Sequence, residues 1–175
     1  MFTCLAILAT ALFSQDASKE SEFGFNLGWG NPFGTSIQVA TALTTHHSAG
    51  AGIGFSMSGV RFGLDYKYLF NVDSKFNPYV GVAGSYASGL TGATVNMNSD
   101  TAKYDFHGGV QATPRGGFRY QAGFANLYLN VGYGIPVVGG GVKYVSGSTK
   151  SSVKSAAELF GLGGVEVSGS MMFRF

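Results

Sequence analysis

The chain has 175 residues, with 28 Gly, 15 Phe, 9 Tyr and one Trp, and only 11% of its residues are charged. Ordinary soluble domains carry roughly 25% charged residues, disordered chains are charge-rich and aromatic-poor, and a glycine inside a helix costs about 1 kcal/mol. Disordered chains and helical bundles are therefore excluded, as is collagen with only four Pro, and a Gly- and aromatic-rich β protein of one domain remains, with a low charge to be explained. The net charge of +2 comes without a basic cluster, so nucleic acid is not an expected partner. Cys4 is the single cysteine, which excludes an internal disulfide, and no Cys/His spacing suits a metal.

In chain order, Phe2 to Phe13 form an apolar run of the length found in secretory leaders, followed by a polar stretch. Residues 1–17 read as a signal peptide cleaved between Ala11 and Ala17, and residues 18–175 as the mature domain. A buried first strand or short helix is the alternative for the same run.

From Glu22 onward apolar residues recur with period two, the signature of a strand with one apolar face. Phe23, Phe25, Leu27 and Trp29 open the pattern, then Ile37, Val39, Thr41 and Leu43, then Ala51, Ile53, Phe55 and Met57. Val60, Phe62, Leu64, Tyr66, Tyr68 and Phe70 follow, with Val80, Val82 and Tyr86 after them. Phe106, Val110, Phe118 and Tyr120 make the sixth set, Leu127 to Ile135 the seventh, and Val165, Val167, Met171, Phe173 and Phe175 the eighth. A two-residue turn at Ser58-Gly59 would set Met57 opposite Val60. Further turns are expected at His46-His47-Ser48, Asn71 to Lys75 and Gln121 to Phe124. Two long polar connections, Ala87 to Asp105 and Pro136 to Gly161, read as loops. Ten strands would require the second of these to supply another hairpin, which its Lys143, Lys150, Lys154 and Glu158 oppose.

Alternation does not say which face is inside. The strand charges Glu22, Arg61, Asp65, Lys67, Arg115, Arg119, Glu166 and Arg174 share one face with small residues such as Gly50, Gly52 and Gly54, and His107 and Gln111 fall there too. An eight-stranded barrel leaves an interior just wide enough for side chains, so small and long polar residues fit inside better than the large aromatics. Trp29, Tyr66, Tyr68, Phe70, Tyr120 and Phe175 fall near strand ends, as interfacial aromatic girdles do. The expectation is an all-β, eight-stranded, antiparallel, up-and-down transmembrane barrel with its apolar face towards lipid. A soluble lipocalin-like barrel holding an apolar ligand is the reverse arrangement.

The last strand, GGVEVSGSMMFRF, with Met171, Phe173 and Phe175 at alternating positions, resembles the terminal strand of Gram-negative outer-membrane barrels. FNPYVGVAGSY (Phe76 to Tyr86) is similar to a strand opening of small OmpA/OmpX/OmpW-type barrels. The resemblance covers Glu22 to Phe175 and implies an outer-membrane location with outer-membrane lipid around the barrel. It also implies recognition of Met171, Phe173 and Phe175 by the barrel-assembly machinery. An even strand count then places both termini in the periplasm, and a monomer is expected.

The inward charges read either as a salt-bridged plug or as the wall of a narrow polar channel, because an unpaired buried ion is very costly. A lipid A-modifying enzyme on this scaffold would need His, Ser and a carboxylate placed together. His46 and His47 sit in a turn and His107 lacks such partners in the sequence, so no enzyme and no cofactor are expected. What remains is a structural or surface-interaction protein whose external segments 87–105 and 136–161 contact an unidentified partner.

Overall fold

The computed structural model describes residues 20–30, 32–97, 99–160 and 163–175; the leader segment and Cys4 lie outside them. The strands are β1 (Ser21–Trp29), β2 (Thr35–Ala42), β3 (His47–Ser56), β4 (Gly59–Leu69), β5 (Phe76–Met97), β6 (Asp100–Ala122), β7 (Ala125–Gly139), β8 (Val142–Gly147) and β9 (Gly164–Arg174), with one helix, α1 (Ser151–Phe160), before β9. The antiparallel order β5-β4-β3-β2-β1-β9-β7-β6 closes through β5–β6 pairing, so eight strands form a barrel and β8 lies outside the ring on β6.

The register fixes the shape. From Phe25 the ladders lead one way round through Ile37, Ile53, Phe62 and Tyr86 to Val110 on β6. The other way they lead through Met171 and Leu127 to Tyr120, also on β6. The two paths thus meet ten residues apart. With standard strand spacings this stagger tilts the strands by about 40° and gives a backbone radius of about 8 Å. Every residue on that circuit is apolar and 38–53% exposed. The outward face of the barrel is therefore the apolar one, which water would not tolerate over so large an area.

The inward rows are small or polar, and the glycines among them have specific neighbours. A Cβ on Gly50 would stand 2.3 Å from an Asp65 carboxylate oxygen, one on Gly52 would stand 3.0 Å from the Phe33 ring, and one on Gly54 would stand 2.4 Å from the Phe33 carbonyl oxygen. The three consecutive inward glycines of β3 thus make room for a charge and for a side chain from the β1–β2 connection.

Four details differ from the sequence expectation. The β3–β4 turn is Met57-Ser58, with Ser56 opposite Gly59 and Phe55 opposite Val60. This two-residue shift keeps both apolar sets on the same face. His47 and Ser48 belong to β3, whose preceding turn closes with Leu43 N–H donating to His47 O at 2.8 Å. The expected loop 87–105 is instead the top of a long β5–β6 hairpin. The expected loop 136–161 contains the end of β7, all of β8 and α1.

Together these last segments make a ribbon that continues the wall past the barrel. β7 and β8 form one line along β6: Val138 faces Val110, Gly139 faces Gly109, Val142 faces Phe106 and Tyr144 faces Tyr104. The glycines between them stay bonded to β6, with Gly140 N–H donating to Gly108 O at 3.0 Å and His107 N–H to Gly141 O at 2.9 Å. Positive φ values at Gly139, Gly140 and Gly141 (66°, 77° and 139°) interrupt the strand geometry without breaking the pairing. The even-numbered β6 residues, exposed at Val110 and Phe118, become buried at Ala102, Tyr104 and Phe106. There Val153 and Ala157 of α1 join them in a separate small core. A bulge between Leu90 and Ala93 shifts β5 by one residue, which brings Ala93 and Val95 into the same cluster.

Candidate functional site

The inward side chains fill the barrel in three storeys. Nearest the termini, Glu22 accepts hydrogen bonds from Asn126 Nδ2 and from Tyr128 OH (2.9 Å to Oε2). The Lys67 ammonium stands 5.4 Å from the centre of the Tyr128 ring, within cation–π range. Arg119, the cross-strand neighbour of Tyr128, is buried beside them.

The middle storey is a chain of charges. Lys67 pairs with Asp65, Asp65 Oδ2 lies 4.0 Å from Arg115 NH1, and Arg115 NH2 lies 3.2 Å from Glu166 Oε1. Ser168 Oγ donates to the same Glu166 oxygen at 2.8 Å. Asn130 Nδ2 donates to Ser168 Oγ at 3.0 Å, and its carbonyl oxygen accepts from Tyr79 OH.

At the opposite end Arg61 NH2 donates to Ser58 Oγ at 2.7 Å, and Gln111 bridges Thr113 (3.2 Å) and the backbone N–H of Gly163 (3.1 Å). Phe33 packs over Gly52 and is fully buried. Four cations (Arg61, Lys67, Arg115, Arg119) and three carboxylates (Glu22, Asp65, Glu166) are each at most 8% exposed. A buried pair that loses one partner leaves an uncompensated charge, which costs about 3–5 kcal/mol. Glu166, Asn126, Asn130 and Thr113 have no surface a water-sized sphere can touch.

Two of the sequence-selected polar residues lie elsewhere. His107 is exposed where β6 leaves the barrel, so it takes no part in the buried network; parity put it inside, but the barrel ends below it. Arg174 sits half-buried at the rim and pairs with Glu20 at 3.4 Å. Of the aromatic positions, Tyr66, Phe70 and Tyr120 are exposed on the outer face towards the termini and Trp29 at the opposite end. Tyr68 is half-buried between the rings of His46 and His47 (centroids 5.8 and 5.1 Å). His46 Nδ1 donates to Leu69 O at 2.8 Å, and the His47 ring meets Tyr66 OH. Met171 of β9 and Phe175 just after it are exposed, and Phe173 stacks on Phe124 at 6.0 Å. Among the described residues no cluster of three or more His, Cys, Asp or Glu could hold a metal.

Sequence reasoning missed Phe33, Tyr79 and Tyr128; it set Asn126 and Asn130 on the polar face of their strand, where they are buried, without counting them in the network. For Tyr79 and Tyr128 the signal was available: each has the parity opposite to its exposed neighbours, Val80 and Leu127 or Leu129. Phe33 lies in a turn, where parity gives no direction.

This closed, polar-filled, apolar-coated ring of eight antiparallel strands is the architecture of outer-membrane barrels. Among solved structures, the N-terminal β-barrel domain of Pseudomonas aeruginosa OprF superimposes with a TM-score of 0.51 at 15% identity, covering 90% of this chain and 96% of that one. Neisserial surface protein A (NspA) gives a TM-score of 0.46 at 13% identity, covering 90% of this chain and 94% of that one. At this identity the likeness is one of fold. No protein-family model and no curated protein sequence matches the chain.

Proposed function

We propose that the protein is an integral outer-membrane barrel that acts as a closed anchor, with its interaction surface carried by the ribbon of β5, β6, β7, β8 and α1. Both termini lie on the periplasmic side in this reading, and the ribbon faces the exterior. Lipid covers the apolar coat, and the assembly machinery reads Met171, Phe173 and Phe175 at the C-terminal end of the chain. The protein works as a monomer and without catalysis.

The observation that carries the reading is the lumen. In its middle storey Lys67, Asp65, Arg115 and Glu166 are turned on one another and are each at most 7% exposed, which supports a plug over a conduit. The apolar circuit from Phe25 to Tyr120 supports lipid as the surrounding solvent. Reconstitution in planar bilayers tests the proposal. Heat-modifiable gel mobility together with no steady conductance is the expected result; discrete single-channel steps from folded protein would overturn the closed-anchor reading. Protein that stays in buffer without detergent would overturn the membrane reading itself.

A further inference from the structure

The short connection between β1 and β2 stands at the ribbon end of the lumen, and its apolar residues do not face solvent. Connections of this kind are ordinarily solvated, yet Pro32 and Phe33 are fully buried. Gly30 and Gly34 bracket them with φ of 64° and 68°, in the left-handed region. Both also lie hard against neighbouring strands. A Cβ on Gly30 would stand 2.0 Å from the Val165 carbonyl oxygen of β9, and one on Gly34 would stand 2.3 Å from that of Phe55 on β3. Only glycine meets both demands, and with these two in place Phe33 turns into the lumen. The ring rests on a patch of inward glycines. Gly52 of β3, which a Cβ would bring to 3.0 Å from the ring, faces Gly63 of β4, the inward position between Arg61 and Asp65. On that wall Phe33 therefore separates Arg61 from the chain of charges that begins at Asp65. At the termini end the lumen also closes on apolar groups: Leu69 and Met172 pack with the rings of Tyr79 and Tyr128, and Val72 of the β4–β5 turn packs on them.

We infer that the β1–β2 turn is a built-in stopper, in which Phe33 bars solutes from entering the lumen at the ribbon end. The inference rests on the closed-anchor reading above and names the part that closes this end. Paired charges alone make a poor seal, because each member remains a good ligand for water and for a small counter-ion. An apolar constriction works differently. It offers a hydrated ion nothing in exchange for its water, and so it stays dry. The glycine patch follows from the same requirement. An eight-stranded lumen is filled by its own wall side chains, so an aromatic ring enters only where Gly52, Gly54 and Gly63 leave the wall bare.

The test uses the full chain with Cys4→Ser, folded in lipid nanodiscs, its barrel verified by heat-modifiable mobility. Asn26→Cys serves as the reporter. Asn26 is buried, lies deeper along β1 than Gly30, and its side-chain amide makes no hydrogen bond among the described residues. The probe is a trimethylammonium methanethiosulfonate, a charged thiol reagent, and the mass gained by the protein is followed in time. With Phe33 in place the reporter should react roughly a hundredfold or more slowly than in urea-unfolded protein. Phe33→Ala should raise that rate roughly tenfold or more, whereas Phe33→Leu, which keeps the apolar bulk, should not. Phe33→Val should give an intermediate rate, and it carries the test where the alanine variant does not fold. Leu69→Ala, at the other end, should leave the reporter slow. An unchanged rate in folded Phe33→Ala and Phe33→Val would overturn the inference, and so would an equal rise in Leu69→Ala, which would mean general loosening. Fast modification with Phe33 in place and no single-channel steps would overturn the stopper and leave the closed anchor standing. Steps from the unsubstituted protein would overturn the closed anchor and the stopper with it, so the two failures are told apart.

Discussion

The barrel and the ribbon are built from the same strands but obey different constraints. Within the ring each strand is paired on both sides, so no backbone edge is open, and the two faces divide cleanly into apolar outside and polar inside. In the ribbon the same β5 and β6 continue beyond their barrel neighbours. There the apolar residues turn into a small core under α1, and neither edge is paired among the described residues. In hydrocarbon an unpaired N–H or C=O costs several kcal/mol, so only a closed ring survives. In water an open edge is affordable and can be used. Where β4 and β9 leave the ladder the architecture changes from a closed ring to an open ribbon, and under the membrane reading proposed above the solvent changes there too.

Removing one member of the middle storey should harm the barrel most and leave the ribbon untouched. Glu166→Ala leaves Arg115 buried without its 3.2 Å partner, and the barrel should lose about 3–5 kcal/mol. Urea unfolding in lipid vesicles would show the loss, while trypsin cleavage at Lys150 and Lys154 of the folded protein should stay at its original rate. If the ribbon is cleaved faster as well, the two regions are not independent. Gly50→Val comes next, because its Cβ would meet an Asp65 oxygen at 2.3 Å. Overpacking of this kind costs about 1–3 kcal/mol, again confined to the barrel transition.

The converse change belongs to the ribbon. Val153 is fully buried against the β5–β6 sheet, and Val153→Ala should loosen α1 by about 2 kcal/mol. An opening equilibrium shifted by that amount rises roughly thirtyfold, and trypsin cleavage at Lys150 and Lys154 follows it when opening is fast. The heat-modifiable transition of the barrel should not move. A lowered barrel transition would show that α1 braces the ring.

The same contrast explains what the sequence could disclose. In the barrel, one face is an exposed apolar coat and the other lines a narrow lumen, so residues such as Phe62 and Arg61 or Leu64 and Asp65 must alternate, and the strands with their facing follow from period two. Above Ala87 that pressure lapses. Thr94 and Asn96 are exposed, Gly139 to Gly141 suit a turn as readily as a kinked strand, and among its described side chains the helix buries Val153 and Ala157. These segments therefore read as loops although they are strands and a helix. His107 failed for a related reason, since parity states a face but not the height at which the barrel ends. The lumen partners were half legible. Charges on one face announce a network, but which of Arg61, Arg115 and Arg119 meets which carboxylate depends on the stagger of the closed ring, which no single strand contains.

Arg174 and Arg115 make the smallest and most direct test of that last point, because both share the inward parity and differ in height. Arg115 is buried between Asp65 and Glu166, whereas Arg174 lies at the rim and meets Glu20 at 3.4 Å with 27% of its side chain and 59% of that of Glu20 exposed. A pair this open exchanges one hydrated state for another, and such contacts are worth about 0–1 kcal/mol. Arg174→Ala should therefore shift urea unfolding by no more than about 0.5 kcal/mol, and added salt should erase even that. Arg115→Ala should resemble Glu166→Ala, and salt should do little to it because ions do not reach the pair. If Arg174→Ala instead destabilises the barrel as strongly as Arg115→Ala, the lumen network extends to the mouth beside the termini, and the boundary between buried and hydrated charge lies one storey lower than the rim geometry sets it.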